Sequence, residues 1–171
     1  MNIREANSED NGPICHLLSL LFEQEAEFKP DFAMQSKGVG EILSDPEKGR
    51  FFVIEDSGRI VGCVSLLFLV STALGGKAAM LEDFVLDTPA RGQGWGTQLL
   101  DYAIQYAVRH GCRRITVLTD KNNSAAQSIY QKMGFNYSEM IPMRLVFKIP
   151  PAPLFQRGAG GIFNAKLQLE T

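Results

Sequence analysis

Apolar positions along the chain change period several times, and each change marks an element. Ile14, Leu17, Leu18, Leu21 and Phe22 recur at i, i+3, i+4, i+7 and i+8, the single stripe of a helix. Ser8, Asp10 and Asn11 offer N-cap oxygens ahead of it, and Pro13 is tolerated in a first turn whose N–H groups have no intrahelical partner. The expected helix runs from about Glu9 to Phe28, and Pro30 stops it. Val39, Ile42 and Leu43 predict a second, short helix before Asp45-Pro46, the two helices bordering a cleft. Asn2 to Ala6 reads as a short opening strand.

Phe51–Glu55 and Ile60–Val70 are rich in β-branched and aromatic residues, and Asp56-Ser57-Gly58 between them has tight-turn composition, which predicts a hairpin. Gly75-Gly76 predicts a second turn, with Ala78–Leu86 as a third, antiparallel strand. The period then returns to helical: Leu99, Leu100, Ala103, Ile104, Ala107 and Val108 share a face, and Gly111 stands where a left-handed C-terminal cap is expected. Arg114–Thr119 reads as a short buried strand, so strand, helix and strand make one right-handed parallel crossover. Asn122 and Asn123 are candidate caps for a last helix, Ser124–Met133, closed by Gly134, and Met143–Ile149 is expected to supply a final strand. From Pro150 onward the periodicity fades into Pro, Gly and small residues. Residues 150–171 are expected to be an extended tail, either disordered or docking Leu154, Phe155, Ile162 and Phe163 on the domain or a second subunit.

Composition narrows the classes that remain. At 171 residues, 45% of them apolar, the chain suits one domain with one core. A net charge of -2 without a run of Lys or Arg removes the electrostatic footprint of a nucleic-acid binder. Cys15, Cys63 and Cys112 are odd in number, far apart and set in apolar surroundings, which predicts buried thiols rather than disulfides or a metal site. No apolar run approaches the ~18 residues of a membrane span, and the polar N-terminus lacks an apolar core, so a reducing cytoplasm is expected.

The segment Phe84 to Thr97 places three alternating glycines, Gly92, Gly94 and Gly96, between a strand and a helix. Successive N–H groups without side chains in the way, at the positive end of a helix dipole, form a site for a phosphate or pyrophosphate; alternatively the glycines serve a tight turn alone. A P-loop requires Gly-Lys-Ser/Thr, and Gly96-Thr97-Gln98 lacks the lysine. A dinucleotide fold requires GxGxxG after the first strand of a βαβ unit, whereas this is GxGxG after antiparallel strands.

Arg91, Gly94 and Gly96 do fit the Arg/Gln-x-x-Gly-x-Gly/Ala pattern of the GNAT acetyltransferase superfamily, which this chain resembles. Leu81-Glu82-Asp83-Phe84-Val85-Leu86 is similar to that family's fourth strand, in particular to the stretch found in diamine-type acetyltransferases. Asn123 to Phe135 is similar to its last helix, with Asn123, Ala126, Tyr130, Gly134 and Phe135 at the family's offsets. The resemblance covers about residues 1–149. It implies an α/β (α+β) fold: a mixed, mostly antiparallel twisted sheet of about seven strands, splayed between strands 4 and 5, with about four helices. It also implies acetyl-CoA as co-substrate, no metal, and homodimerisation through the final strand and tail.

By that resemblance Phe84, Val85 and Leu86 contact the pantetheine arm. Arg91, Gly92, Gln93, Gly94, Trp95, Gly96 and Thr97 hold the pyrophosphate, and Asn123, Ala126 and Tyr130 reach the cofactor from the last helix. Trp95 replaces the usual aliphatic residue; it either packs under the helix or extends along the CoA. Transfer to an amine needs a neutral nucleophile, since an alkylammonium with pKa about 10 has no lone pair. Glu82 resembles the family glutamate that acts as base through water. Asp83, on the opposite face by strand alternation, is its rival. Backbone N–H groups of Phe84 to Leu86 would stabilise the oxyanion, and Tyr130 matches the tyrosine assigned as general acid. The expected reaction is acetyl transfer to a primary amine of a small molecule or peptide by direct attack in a ternary complex. The alternatives are a non-catalytic acyl-CoA-binding module, or acyl transfer to a protein N-terminus or lysine. Glu23, Glu25 and Glu27 form either a solvated helix face or a patch favouring a cationic amine. His16 and His110 need no role, and Tyr137, Met140 and Met143 line a pocket or fill an edge.

Overall fold

The computed structural model describes residues 1–23 and 29–147. It divides into two units, Met1–Asn136 and Tyr137 onward. In the first, five strands make one sheet in the order β1 (Asn2–Glu5), β2 (Gly49–Asp56), β3 (Arg59–Ser71), β4 (Gly76–Leu86) and β5 (Ile115–Val117). The first four are antiparallel neighbours and β5 runs parallel to β4. Four helices join them: α1 (Asn11–Phe22), α2 (Phe32–Ser44), α3 (Trp95–Arg109) and α4 (Ser124–Lys132).

The sheet is covered on both faces, which explains why β2 and β3 read as unbroken apolar runs rather than alternating ones. Phe51, Val53, Cys63 and Val85 point to α1 and α2, where they meet Ile14, Cys15, Leu17, Leu18 and Val39. Phe52, Ile54, Val64, Leu66, Ala79 and Leu81 point the other way, against Leu99, Leu100, Ala103 and Tyr106 of α3 and Tyr130 of α4. Each such large side chain removed from water contributes roughly 2 kcal/mol, so both helical layers are held to the sheet by ordinary burial.

Local chemistry corrects several expected boundaries. The first helix does not begin at Glu9. Ser8–Asp10 is a separate 3-10 turn whose entry is fixed by the Asn7 side chain, accepting from the Glu9 N–H at 2.8 Å. The helix ends at Phe22, with Glu23 as its C-cap, and the part of the expected span from Gln24 to Phe28 lies outside the described residues. The second helix starts earlier than its apolar residues suggested, because Asp31 caps it through the Met34 N–H at 3.0 Å. Ser57 and Gly58, with φ of 50° and 75°, close the β2–β3 hairpin, both central residues being left-handed as the twist of paired strands favours.

Five strands form among the described residues, not about seven. Met143–Phe147, the described part of the expected final strand, joins no ladder, since a sequence pattern does not supply a partner. Lys148, Ile149 and the tail 150–171 lie outside the described residues. No described helix is long and apolar enough to cross a membrane.

Candidate active site

The parallel ladder between β4 and β5 is short. It pairs Ala79 with Ile115, Met80 with Thr116 and Leu81 with Val117, and there it stops. β4 continues for five more residues, Glu82 to Leu86, paired with β3 alone. A gap therefore opens in the sheet beside the stretch in which Glu82, Phe84, Val85 and Leu86 were expected to act.

The parity of β4 changes inside that stretch. Ser65 lies opposite Glu82 and Cys63 opposite Val85, so two residues of β4, Asp83 and Phe84, face Val64: a β-bulge. Asp83 has φ of 54°, the left-handed region that L residues other than Asn and Asp rarely adopt. Its carboxylate accepts from the Ser65 hydroxyl at 2.8 Å. Because directly paired residues share a face, Ser65 and Glu82 both project towards α1 and α2, and Asp83 turns to the same side. The expectation that Asp83 faces opposite to Glu82 is thus overturned, for simple alternation fails across a bulge. Downstream, the Asp87 N–H donates to the Val61 carbonyl at 2.8 Å, so Val85 also faces β3 while the backbone groups of Phe84 and Leu86 face the gap.

The glycines at the start of α3 divide into two kinds. Gly92 and Gly94 have φ of 74° and 77°, and a Cβ on either would meet nothing within 4 Å; they are required for backbone conformation. Gly96 is buried, and a Cβ there would come within 3.1 Å of Phe84 Cζ and 3.2 Å of Leu86 Cδ1, so it is required for α3 to approach β4. No side chain caps the helix at Gly94 and no acidic residue stands in its first turn. Its first N–H groups therefore receive no side-chain cap. Arg91 donates from Nε to the Leu86 carbonyl at 3.0 Å, and Gln93 from Nε2 to the Pro89 carbonyl at 2.9 Å, bracing the loop against the end of β4. Thr97 is exposed on the first turn, and Trp95 packs against the core shared by α3 and the sheet.

From the far side of the gap α4 presents Tyr130, buried, its ring centroid 6.1 Å from that of Phe84 and 5.6 Å from that of Phe135. Burial pushes its hydroxyl up to about 12, so it holds its proton throughout the neutral range. Asn123 Oδ1 caps α4 through the Ala126 N–H at 3.1 Å, an acceptor role that leaves its amide NH2 as a donor. Glu82 is exposed on the α1–α2 face, whereas Phe84 and Tyr130 belong to the α3–α4 core. The two groups proposed from sequence for proton transfer thus belong to opposite faces of the sheet where it is parted.

Other expectations find no place in this arrangement. Glu23 is exposed, and Glu25 and Glu27 lie outside the described residues. His16 is exposed, and His110 stacks on Tyr106 at 3.8 Å beyond the far end of α3. Tyr137, Met140 and Met143 fall in the second unit. Cys15 and Cys63 are buried free thiols, Cys112 is half-buried, and the described residues hold no cluster of metal-ligating groups. A concavity of about 600 Å³ along α3, lined by Ile3, Gln98, Tyr102 and Arg109 among others, shares only Thr97 with the candidate set. The candidate residues thus lie along a strand edge and a helix terminus. Sequence reasoning missed Ser65, although it is the one polar side chain in the apolar run Ile60–Val70.

Comparison with known proteins bears on the family and the fold. A family model described as the Acetyltransferase (GNAT) family matches residues 13–135. The chain is 28% identical over 138 residues to the uncharacterised N-acetyltransferase YhfO of Bacillus subtilis, covering 79% of this chain and 89% of the relative. It is 31% identical over 110 residues to the uncharacterised N-acetyltransferase MJ1207 of Methanocaldococcus jannaschii, covering 63% of this chain but 49% of that protein, so the match spans about half the relative's length. Among solved structures, the integron cassette protein HFX_CASS3 from the mobile metagenome of Cole Harbour Salt Marsh superposes with a TM-score of 0.76 at 24% identity, over 86% of this chain and 91% of that one. At that identity the likeness shows the fold.

Proposed function

The chain belongs to the GNAT acetyltransferase family, and from that premise we propose that it transfers an acetyl group from acetyl-CoA to a primary amine of a small molecule or peptide, by direct attack in a ternary complex. The observation that carries this reading is the parting of β4 from β5 after Leu81, beside an α3 N-terminus that no side chain caps. An extended thioester arm suits the open edge of β4, adding to it as a strand would, and the diphosphate at its end suits the N–H groups that begin α3.

In this reading Phe84 and Leu86 offer N–H groups to the arm and to the carbonyl oxygen as it becomes an oxyanion. Glu82, reached from the α1–α2 face, takes the proton of the incoming ammonium through water, so that the amine attacks with a free lone pair. As the tetrahedral adduct collapses its nitrogen releases its extra proton to water, the C–S bond breaks, and the Tyr130 hydroxyl supplies a hydrogen bond and then a proton to the departing thiolate, the phenolate taking a proton back from solvent. The Asn123 NH2 group and the Ala126 region of α4 border the arm, and Arg91 to Thr97 hold the diphosphate.

Calorimetric binding of acetyl-CoA, followed by CoA thiol release across polyamine, amino-sugar and peptide acceptors, tests the proposal. Tight binding with thiol release on at least one amine is expected. Binding without release on any acceptor would instead identify an acyl-CoA-binding module.

A further inference from the structure

We infer that Ser65 is a positioning residue for the acyl transfer, acting through the bulge at Asp83; the inference rests on the function proposed above. Ser65 is fully buried in β3, and its hydroxyl donates to Asp83 Oδ2 at 2.8 Å. The bond does more than satisfy a buried hydroxyl. The Ala79 N–H donates to the Arg114 carbonyl at 2.9 Å, so the backbone of Ala79, and with it that of Leu81, faces the β5 side. Without the bulge that parity would carry Asp83 and Val85 to the open edge, with their side chains on the α3 face. The extra residue moves Phe84 and Leu86 there instead, placing Phe84 against Gly96 and Tyr130. It also leaves Asp83 on the α1–α2 side with Glu82. One residue of slip thus decides which N–H groups meet a thioester and which side chains wall it.

The slip depends on a non-glycine residue holding φ of 54°, and the Ser65 hydroxyl is a buried group that ties that residue to the neighbouring strand. A conformation of this kind persists only where its surroundings over-determine it, and such positions gather at sites where geometry is used.

The test compares Ser65→Ala, Ser65→Thr and Ser65→Ala in an Asp83→Gly background. In steady-state kinetics Ser65→Ala is expected to lower kcat about 10- to 100-fold, as sub-ångström misplacement of transition-state donors does, with the KM for acetyl-CoA rising by a smaller factor, since the arm's contacts to β4 shift while those at the α3 loop remain. Threonine, which keeps the hydroxyl, restores most of the loss. In the glycine background, where positive φ carries no strain, removing the hydroxyl matters much less. An unchanged kcat in Ser65→Ala, no rescue by threonine, or an equal loss in both backgrounds overturns the inference. A second readout does not depend on turnover: the Cα and Cβ chemical shifts of Asp83 report its φ, and they should leave the left-handed region in Ser65→Ala. If the wild-type protein acetylates no amine, the proposed function fails by itself. Unaltered Asp83 shifts in Ser65→Ala still overturn the role given to Ser65.

Discussion

Two side chains carry charge or proton arguments that solution measurements can check. Tyr130 sits between the Phe84 and Phe135 rings, and burial pushes its hydroxyl up to about 12. Tyr130→Phe keeps both ring contacts, so the fold should survive while kcat falls about 100-fold, the scale of losing one positioned acid. The raised value also fixes a sign. The folded state keeps the proton that the unfolded chain releases near pH 10, so this contribution is complete below about pH 10 and disappears as pH rises towards 12. Alkaline denaturation should show a smaller loss of stability in Tyr130→Phe than in the wild type. Asp10 behaves in the opposite sense. Burial pushes its carboxyl up, but Arg4, donating to both oxygens at 2.7 and 2.9 Å, and the Asn7 N–H at 2.8 Å together hold it below the usual carboxylate range. Its contribution is present above the unfolded value of about 4 and is lost as pH falls below it. Arg4 is part-exposed and keeps Glu55 as a partner, so Asp10→Asn should cost only about 1 kcal/mol near pH 7, and the gap to wild type in denaturant titrations should narrow towards pH 3.

At the scale of elements, the two kinds of glycine before and within α3 separate by experiment. Gly94→Ala places a methyl in open space and suffers only the strain of φ at 77°, about 1 kcal/mol, whereas Gly96→Ala drives a Cβ against Phe84 and Leu86 and should cost about 2 kcal/mol by overpacking. Melting curves rank the two variants, and calorimetry should show weaker acetyl-CoA binding in both, Gly94→Ala through relaxation of the strained N-cap backbone and Gly96→Ala through displacement of the first turn of α3. This loop was legible because glycine spacing at a strand-to-helix junction has few physical uses. So was Gly111, whose φ of 77° ends α3 as its position promised. Less could be read where a local signal points two ways. Pro30 marked a stop and hid the start that Asp31 makes, so α2 was expected too short. The bulge in β4 left no trace in the alternation of Leu81 to Leu86, because Asp is one of the few side chains that enter the left-handed region without glycine. What it needs is Ser65, eighteen residues upstream, and only pairing brings the two together. Met143–Phe147 failed for the complementary reason: its pattern was sound, but a strand is defined by a neighbour.

In the proposed reading the first unit as a whole joins two half-sites through an opening in one sheet. The face towards α1 and α2 bears Glu82 and the Ser65–Asp83 pair; the other bears Tyr130, Phe84 and the N-terminus of α3. In the proposed reaction an amine and a thioester approaching from opposite faces would meet at the edge of β4 without either leaving first, which is the arrangement direct transfer requires. The thiols give the same answer. Cys15 and Cys63 are fully buried, burial pushes both thiols up, and Cys63 is pushed further by the nearby Asp83, so neither is a thiolate at neutral pH. Cys112, also pushed up by burial, follows the C-terminus of a 15-residue helix whose N-terminus is the proposed diphosphate site, a separation of roughly 20 Å along the axis. None of the three is placed to accept an acetyl group and pass it on. Initial-rate plots at several fixed amine concentrations should therefore intersect rather than run parallel. Mass spectrometry of the protein incubated with acetyl-CoA alone should show no acetyl adduct on Cys15, Cys63 or Cys112. Parallel lines together with a cysteine adduct that disappears when amine is added would replace direct attack with a two-step transfer.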